Sequence, residues 1–418
     1  MTNPSDTPKR ASKIWGAIPS LGLLFTGLYL SITGKWSLIP WVPVGPGPFM
    51  DLVALTSTAE CLRTSGWTLD SPSCDPYDRK FNYPSLWVYV FALFRLDAAD
   101  TSWLGVAFLV LLCLVVLALG SGMRTSGARP ADYLWLSIAT VSPAVLFAVE
   151  RGNVDILILA LVLLATLAQI HRFSGTAGFL VGIATLLKLF PIGSSGLLLV
   201  GRGRGIRGWI GLFATLAVGT ILLVPELRAI GGRTPSGDLV SYGMSVPIRW
   251  AYQWLDIQPH PLALRLLGLA LFLIFLAVIS IVALRWSPLR GQLATSANYM
   301  LHRPQAAGLF VASGGAWLVS YATDSFDYKM IFLLPVLAVL LPMAHESWLP
   351  RILSVAIVLE MWLSSLMPAP LQVVGDLVWL VTTPMLVILY LTLLWRLLQD
   401  RLVEFREGRR ADYPSVTG

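Results

Sequence analysis

The chain has 418 residues, of which 56% are hydrophobic and only 13% charged, and its mean hydropathy is +0.72. A soluble domain carries about 25% charged residues, so this composition excludes a water-soluble globular protein. The formal net charge of +7 does not indicate nucleic acid, because the basic residues are spread over short segments between apolar ones. These features predict an all-α, polytopic transmembrane helical bundle of about 10–12 spans.

Apolar blocks of span length follow one another along the chain. A span needs about 20 apolar residues, within a range of about 17–25. Six blocks contain no Asp, Glu, Lys or Arg: 104–122, 133–149, 209–224, 266–284, 306–322 and 377–395. Blocks 156–170 and 330–344 are shorter. Segment 176–200 is predicted to fold as a hairpin, because Lys188 and Pro191 interrupt it.

The distribution of basic residues predicts the topology. Lys9, Arg10 and Lys13 precede the first span, 14–34, which places the N-terminus in the cytoplasm. This span reads as a retained anchor; the alternative is a signal peptide. The predicted division is a cytoplasmic tail at 1–13, one transmembrane domain at 14–397 and a cytoplasmic tail at 398–418. The first outer loop, 35–102, contains an apolar segment at 83–96 that suits an interfacial helix. Residues 228–261 and 285–303 are predicted to be loops.

The cysteines agree with this sidedness. Cys61 and Cys74 both fall in the first outer loop, and Cys113 lies in a span. An oxidising outer face would allow Cys61 and Cys74 to close a disulfide worth roughly 3 kcal/mol in loop entropy. The four histidines are scattered, so no metal site and no metal cofactor are predicted.

Charged turns between apolar spans are predicted to meet on the outer face. They contain Asp51, the turn 150–155, Lys188, Arg249 and the turn 324–329. Charges wedged between spans are costly and indicate a functional site by default. The alternative is that each lies at the headgroup level and is satisfied by water.

Six short motifs carry a family resemblance. In chain order they are Phe49-Met50-Asp51-Leu52, Asn82-Tyr83-Pro84-Ser85-Leu86-Trp87, Glu150-Arg151-Gly152-Asn153-Val154-Asp155, Lys188-Leu189-Phe190-Pro191, the pair Ser245 and Arg249, and Ser325-Phe326-Asp327-Tyr328-Lys329 followed by a Leu-Leu-Pro helix. Their order resembles the GT-C superfamily of membrane glycosyltransferases, and within it the bacterial polyprenyl-phosphate-mannose-dependent α-mannosyltransferase family and its uncharacterised relatives. The likeness spans most of the chain. Tyr328 and Lys329 stand where mannosyltransferases of that family tend to have histidine.

The resemblance implies a hexosyltransferase of the cell envelope. The expected donor is a polyprenyl-phosphate sugar, with mannose as one candidate, and the expected acceptor is a hydroxyl of a lipid or glycan. The expected location is the bacterial plasma membrane, with the active site facing outward and no nucleic-acid partner. A carboxylate at the membrane edge can act as general base, and we expect Asp51 to fill this role. The alternative role for Asp51 is a helix cap.

The remaining candidates are assigned by chemistry. Arginine and lysine can hold the leaving phosphate, with snorkelling to headgroups as the alternative; the candidates are Arg79, Lys188, Arg249 and Lys329. Asp155 could orient the acceptor, act as a second carboxylate, or cap a helix. Asp327 could bind sugar hydroxyls or pair with Lys329. Further substrate contacts are expected from Tyr83, Glu150, Arg151, Asn153, Ser245 and Tyr328.

Two other functional classes stay open at this stage. A lipid-linked saccharide flippase would share the spans and the arginines, although transporters often repeat a broken helix in both halves. Only one such break, at Lys188 and Pro191, is visible. A non-catalytic membrane scaffold is the third reading.

Overall fold

The computed structural model describes residues 7–38, 42, 47–66, 74–79, 81–201, 205–233, 241–244, 248, 252, 255, 261–322, 325–363 and 369–411. Within these residues the chain is a helical bundle, as predicted. The α-helices are α1 (Thr7–Thr33), α2 (Met50–Ser65), α3 (Ser85–Leu93), α4 (Thr101–Thr125), α5 (Pro130–Thr140), α6 (Pro143–Arg151), α7 (Asp155–Ile170), α8 (Ser174–Leu187), α9 (Gly205–Arg233), α10 (Pro261–Arg285), α11 (Ser287–Leu301), α12 (Pro304–Ala322), α13 (Leu333–Met343), α14 (Trp348–Leu363) and α15 (Ala369–Ala411).

Short elements connect these helices. The 3-10 helices are Trp36–Leu38, Ala98–Asp100, Phe190–Leu199 and Asp327–Phe332. Two strands of two residues, β1 (Ser241–Tyr242) and β2 (Ser325–Phe326), pair antiparallel. Among the described residues four helices are long and apolar enough to cross a membrane, or five if a bent pair forms one span. Other apolar helices of 10–17 residues lie between them, so many of the predicted spans are built from short pieces.

The span predicted at 133–149 is wrong as a single helix. It is broken into α5 and α6, which meet at an angle of 48°. The cause is local: the Ser142 side chain accepts a hydrogen bond from the Val145 amide at 3.5 Å, and Pro143 occupies the first helical position. A capping serine followed by proline starts a new helix.

Three other boundaries differ from the prediction. The stretch 285–303, predicted as a loop, is mostly the helix α11, and α9 continues to Arg233 rather than ending near 228. The last helix continues to Ala411, well into the predicted tail. In contrast, the short helix predicted within 83–96 is present as α3, and the predicted break inside 176–200 is present after Leu187.

The bundle has two ends with different charge. The first helix runs antiparallel to α4, because Gly16 faces Gly120 while Gly27 faces Leu109. A buried hydrogen bond of 2.8 Å between Thr56 and Thr101 joins α2 to the start of α4. We call this the site end, because Asp51 begins α2 there.

The far end is rich in arginine. Two polar contacts join segments of the chain at this end. His345 Nε2 lies 2.9 Å from Asp132 Oδ1, and Gln169 Nε2 donates to the Val200 carbonyl at 2.7 Å. Arginines in or next to the end turns of helices here include Arg124, Arg129, Arg172, Arg207, Arg303 and Arg351. Arginine flanks of this kind are typical of the cytoplasmic side.

The break after α8 fixes the position of Lys188. Its backbone is extended, with φ −156° and ψ 131°, so the helix cannot continue through it. The Leu187 carbonyl, in the last residue of α8, accepts a buried hydrogen bond from Trp87 Nε1 at 3.0 Å. The indole of α3 therefore stabilises the bend that presents Lys188 at the site end.

Cys61 and Cys74 are joined in a disulfide, with Cα atoms 6.3 Å apart. Cys113 is free and buried. Alkylation of the folded protein without reductant should therefore modify neither Cys61 nor Cys74, and Cys113 should react only after unfolding. Mass spectrometry should find a peptide containing Cys61 linked to one containing Cys74. Two alkylated thiols at these positions would contradict the disulfide.

The two-ended charge distribution predicts that the site end is outside the cell. Lys35 and His171 are exposed at the site end and the far end, respectively. In intact cells an impermeant maleimide should label the Lys35→Cys variant. It should label His171→Cys only after the membrane is opened, and the unmodified chain is the control. The opposite pattern would invert the topology.

Candidate active site

Asp51 is the second residue of α2, but it does not cap that helix. The capping position is Phe49, whose backbone is left-handed with φ 57°, and no side chain caps the helix. The Asp51 side chain is 13% exposed. The Asp51 carboxylate is therefore partly exposed and makes tertiary contacts, and its predicted alternative role as a helix cap is wrong.

The turn between α6 and α7 packs against the start of α2. The Phe49 amide donates to the Glu150 carbonyl at 2.7 Å. Gly152 adopts φ +59°, and a Cβ there would approach Leu52 Cδ1 to 2.7 Å and Phe49 Cβ to 3.1 Å. Only glycine combines this conformation with this close approach.

Asn153 follows that turn and links the Asp51 carboxylate to the backbone at the start of α7. It is fully buried. Its Nδ2 donates to Asp51 Oδ2 at 2.5 Å, and its Oδ1 accepts from the Asp155 amide at 2.8 Å. The second bond forms an Asx turn onto the first residue of α7. Asp155 makes no side-chain cap bond there, contrary to one predicted role.

A first group of charges surrounds Asp51. Arg79 donates through Nε to buried Asp75 at 2.7 Å and donates to the Met50 carbonyl at 2.5 Å. Its Nη1 lies 3.9 Å from Asp51 Oδ1. We call Asp51, Asp75 and Arg79 the acidic pole, because two carboxylates face one guanidinium.

A second group of charges lies around Asp155. Lys188 Nζ lies 2.9 Å from Asp155 Oδ1, in a pair whose carboxylate side chain is fully buried. Lys329 is within electrostatic range of both Asp155 and Lys188, and its Nζ lies 4.7 Å from the Phe190 ring centre. We call Asp155, Lys188 and Lys329 the basic pole, because two ammonium groups face one carboxylate.

Two buried tyrosines lie between the poles. Lys188 Nζ lies 5.1 Å from the Tyr83 ring centre and 5.8 Å from that of Tyr328. Burial, followed by the charge of Asp51, raises the pKa of Tyr83 well above its ordinary value. Tyr83 is therefore a protonated phenol at physiological pH. Tyr328 interacts with Asn153 and lies within electrostatic range of Asp51 and Asp155.

Glu150 and Arg151 form a compensated pair beside the poles. Arg151 Nε lies 3.7 Å from buried Glu150 Oε2. The same guanidinium lies 5.2 Å from the Phe147 ring centre and contacts Met50 Sδ at 3.3 Å. This packing stabilises the α6 end against α2.

Three predicted residues are not tested by these contacts. Ser245 and Arg249 lie outside the described residues, and so does the side chain of Asp327, which begins a 3-10 helix. The backbone nevertheless links their segments. Tyr242 pairs with Ser325, and the Met244 amide donates to the Tyr321 carbonyl at 3.3 Å.

Sequence reasoning missed Asp75. Two signals could have identified it: Asp75 directly follows Cys74, which the disulfide holds, and it stands four residues before Arg79. An acidic residue so placed can orient the arginine in a single turn of chain.

A cavity of about 250 Å³ lies elsewhere, at the far end. It is lined by parts of α4, α11, α12 and α13 and by the residues that connect them, including Ser126, Tyr299 and Arg303. No residue of either pole lines it. The candidate site therefore lies at the two poles and not at this cavity.

The arrangement suits transfer of a group from an anionic leaving group to an acceptor that loses a proton. The acidic pole carries a partly exposed carboxylate that can accept a proton. The basic pole carries ammonium groups that can hold an anionic leaving group. The two lie on one end of the bundle, fixed by the same α6–α7 turn.

Comparison with known proteins places the chain in a family. A model of glycosyltransferase family 87 matches residues 81–303, just over half of the chain. The match contains Tyr83, Asn153, Asp155 and Lys188, whereas Asp51 and Lys329 lie outside it. No curated protein and no solved structure gives a significant match. With its membrane-spanning helices and a family match over more than half of its length, the chain belongs to glycosyltransferase family 87.

Proposed function

We propose that this glycosyltransferase moves a hexose from a polyprenyl-phosphate donor to a hydroxyl of a lipid or glycan acceptor. The reaction takes place at the site end, on the outer face of a bacterial plasma membrane. Asp51 is the general base, and Lys188 and Lys329 hold the phosphate. The family match supports sugar transfer over the flippase and scaffold alternatives.

The separation of charge within the site carries this proposal. Asp51 and Asp75 lie with Arg79 in the acidic pole, whereas Lys188 and Lys329 lie around Asp155 in the basic pole. Two neighbouring ammonium groups suit an anionic phosphate ligand. A neutral hydroxyl that loses a proton would complement the acidic pole.

The proposed reaction follows from these positions. The acceptor O–H gives its proton to Asp51 while its oxygen attacks the anomeric carbon. The bond between that carbon and the phosphate oxygen breaks, and the electron pair leaves with the phosphate. Lys188 and Lys329 stabilise the developing charge, which is the usual role of fixed cations in such a transition state.

The surrounding chain suits a lipid-linked donor. Phe190 and Phe332 pack at 5.1 Å between ring centres behind Lys329, and the neighbouring Leu189 is exposed. A prenyl chain could remain in lipid while its phosphate reaches the lysines. Mannose stays a candidate sugar, with Tyr328 and Lys329 in the turn that would meet it.

The first test is substitution of the base. Asp51→Asn keeps the size of the side chain but removes proton acceptance, so the rate of transfer should fall about 10²–10⁴-fold. The assay needs the purified protein in lipid with a panel of prenyl-phosphate sugars. Donor affinity should change little, because the basic pole is intact.

Asp78→Asn is the matched control. Asp78 is exposed in the same loop and has φ 52°, which asparagine tolerates. It should transfer sugar at the parental rate. A parental rate for Asp51→Asn would exclude Asp51 as the base, and failure of every donor to bind or react would favour the transporter or scaffold.

The second test addresses the phosphate. Lys329→Met keeps much of the apolar stem and removes the ammonium group, so the KM for the donor should rise about tenfold or more, as for the loss of a charged hydrogen bond. Lys35→Met, which removes an exposed lysine from the same end, should leave the KM unchanged. An equal KM for both variants would contradict a phosphate contact at Lys329.

A further inference from the structure

We propose that Asn153 is a positioning residue that orients the Asp51 carboxylate, rather than a substrate contact. This inference rests on the proposed role of Asp51 as general base. Asn153 is fully buried, and both ends of its carboxamide are engaged by the protein.

The location of Asn153 is set by the backbone and not by its own side chain. The Asn153 amide donates to the Ala148 carbonyl at 2.9 Å, which closes the end of α6. Gly152 packs on Leu52, and Phe49 bonds to Glu150. The start of α2 and the α6–α7 turn are therefore held together before the Asn153 side chain adds its bond to Asp51.

The orientation of the carboxamide is also fixed. Its oxygen must face the Asp155 amide, which can only donate. Its nitrogen then faces Asp51 Oδ2 at 2.5 Å. A donor held in this way stabilises the ionised carboxylate and fixes the direction of its lone pairs. The other carboxylate oxygen, Asp51 Oδ1, lies 3.9 Å from Arg79 Nη1, which is beyond direct hydrogen-bonding distance.

Among the described residues, three elements contribute the polar groups that face Asp51. The loop before α3 contributes Arg79, with Asp75 behind it, and Tyr83. The α6–α7 turn contributes Asn153, with Asp155 behind it, and the 3-10 helix Asp327–Phe332 contributes Tyr328.

Tyr83 does not change charge in the assayed range, about pH 5 to 9. Burial raises the pKa of Tyr83 well above its ordinary value, so this phenol stays neutral.

The variant Asn153→Asp separates positioning from a merely structural role. An aspartate has nearly the same shape and keeps an oxygen that can accept from the Asp155 amide, so the Asx turn survives. Toward Asp51, however, a donor is replaced by a second carboxylate. Two carboxylates at this distance share one proton, as in acid proteases, so the pair stays protonated to a higher pH than a single carboxylate would.

The experiment measures kcat against pH for Asn153→Asp, from about pH 5 to 9. The acid limb should move up by at least about one pH unit, so the loss relative to the parent is largest at the acid end of the range and shrinks as the pH rises. The KM for the prenyl-phosphate donor should stay near the parental value. Asn298→Asp is the matched control, because Asn298 is exposed at the far end, and its profile should not move.

Two results would overturn the inference. One is a parental profile for Asn153→Asp, and the other is a loss that is the same at every pH, which a purely structural defect would give. A raised KM for the donor without a shift in the pH profile of kcat would instead indicate that Asn153 contacts the substrate. Asp51→Asn is assayed alongside: if it keeps the parental rate, the proposed base fails, and if it is inactive while Asn153→Asp is normal, only the positioning role fails.

Discussion

The contact between the α6–α7 turn and the first turn of α2 determines the rest of the site. Gly152 allows the turn to approach Leu52 and Phe49, and the Phe49 amide then bonds to the Glu150 carbonyl. These contacts bring Asn153 to Asp51 across about a hundred residues of chain. A larger residue at Gly152 would force the turn away from α2 and separate the Asp51 carboxylate from Asn153.

The second determinant is the break after α8, which presents Lys188 at the site end. Trp87 satisfies the carbonyl released by the break, and Lys188 pairs with Asp155. Removal of one member of a buried ion pair costs about 3–5 kcal/mol because the other charge is left buried, so Lys188 and Asp155 are expected to tolerate only joint replacement. The charges are therefore held in place before any ligand arrives, as electrostatic preorganisation requires.

Much of this organisation could be predicted from sequence, because hydropathy and positive charge are strong signals in a membrane chain. The fold class, the short helix at α3 and the break near Lys188 followed from them. The division of 133–149 and the helix α11 did not, since a Ser-Pro break inside an apolar block and a polar helix between spans do not alter mean hydropathy. Asp51 and Lys188 were identifiable as charges between spans, whereas Asp75 and the bond from Asn153 to Asp51 depend on tertiary packing that one sequence does not reveal.

The separation of base and phosphate sites is the central claim, and a bound donor tests it most directly. The measurement is a cryo-electron-microscopy structure of the protein in lipid nanodiscs with an unreactive prenyl-phosphate sugar analogue. The account predicts phosphate density against Lys188 and Lys329, with the anomeric carbon directed toward Asp51. Phosphate density at Arg79, or at Arg303 beside the far-end cavity, would contradict it.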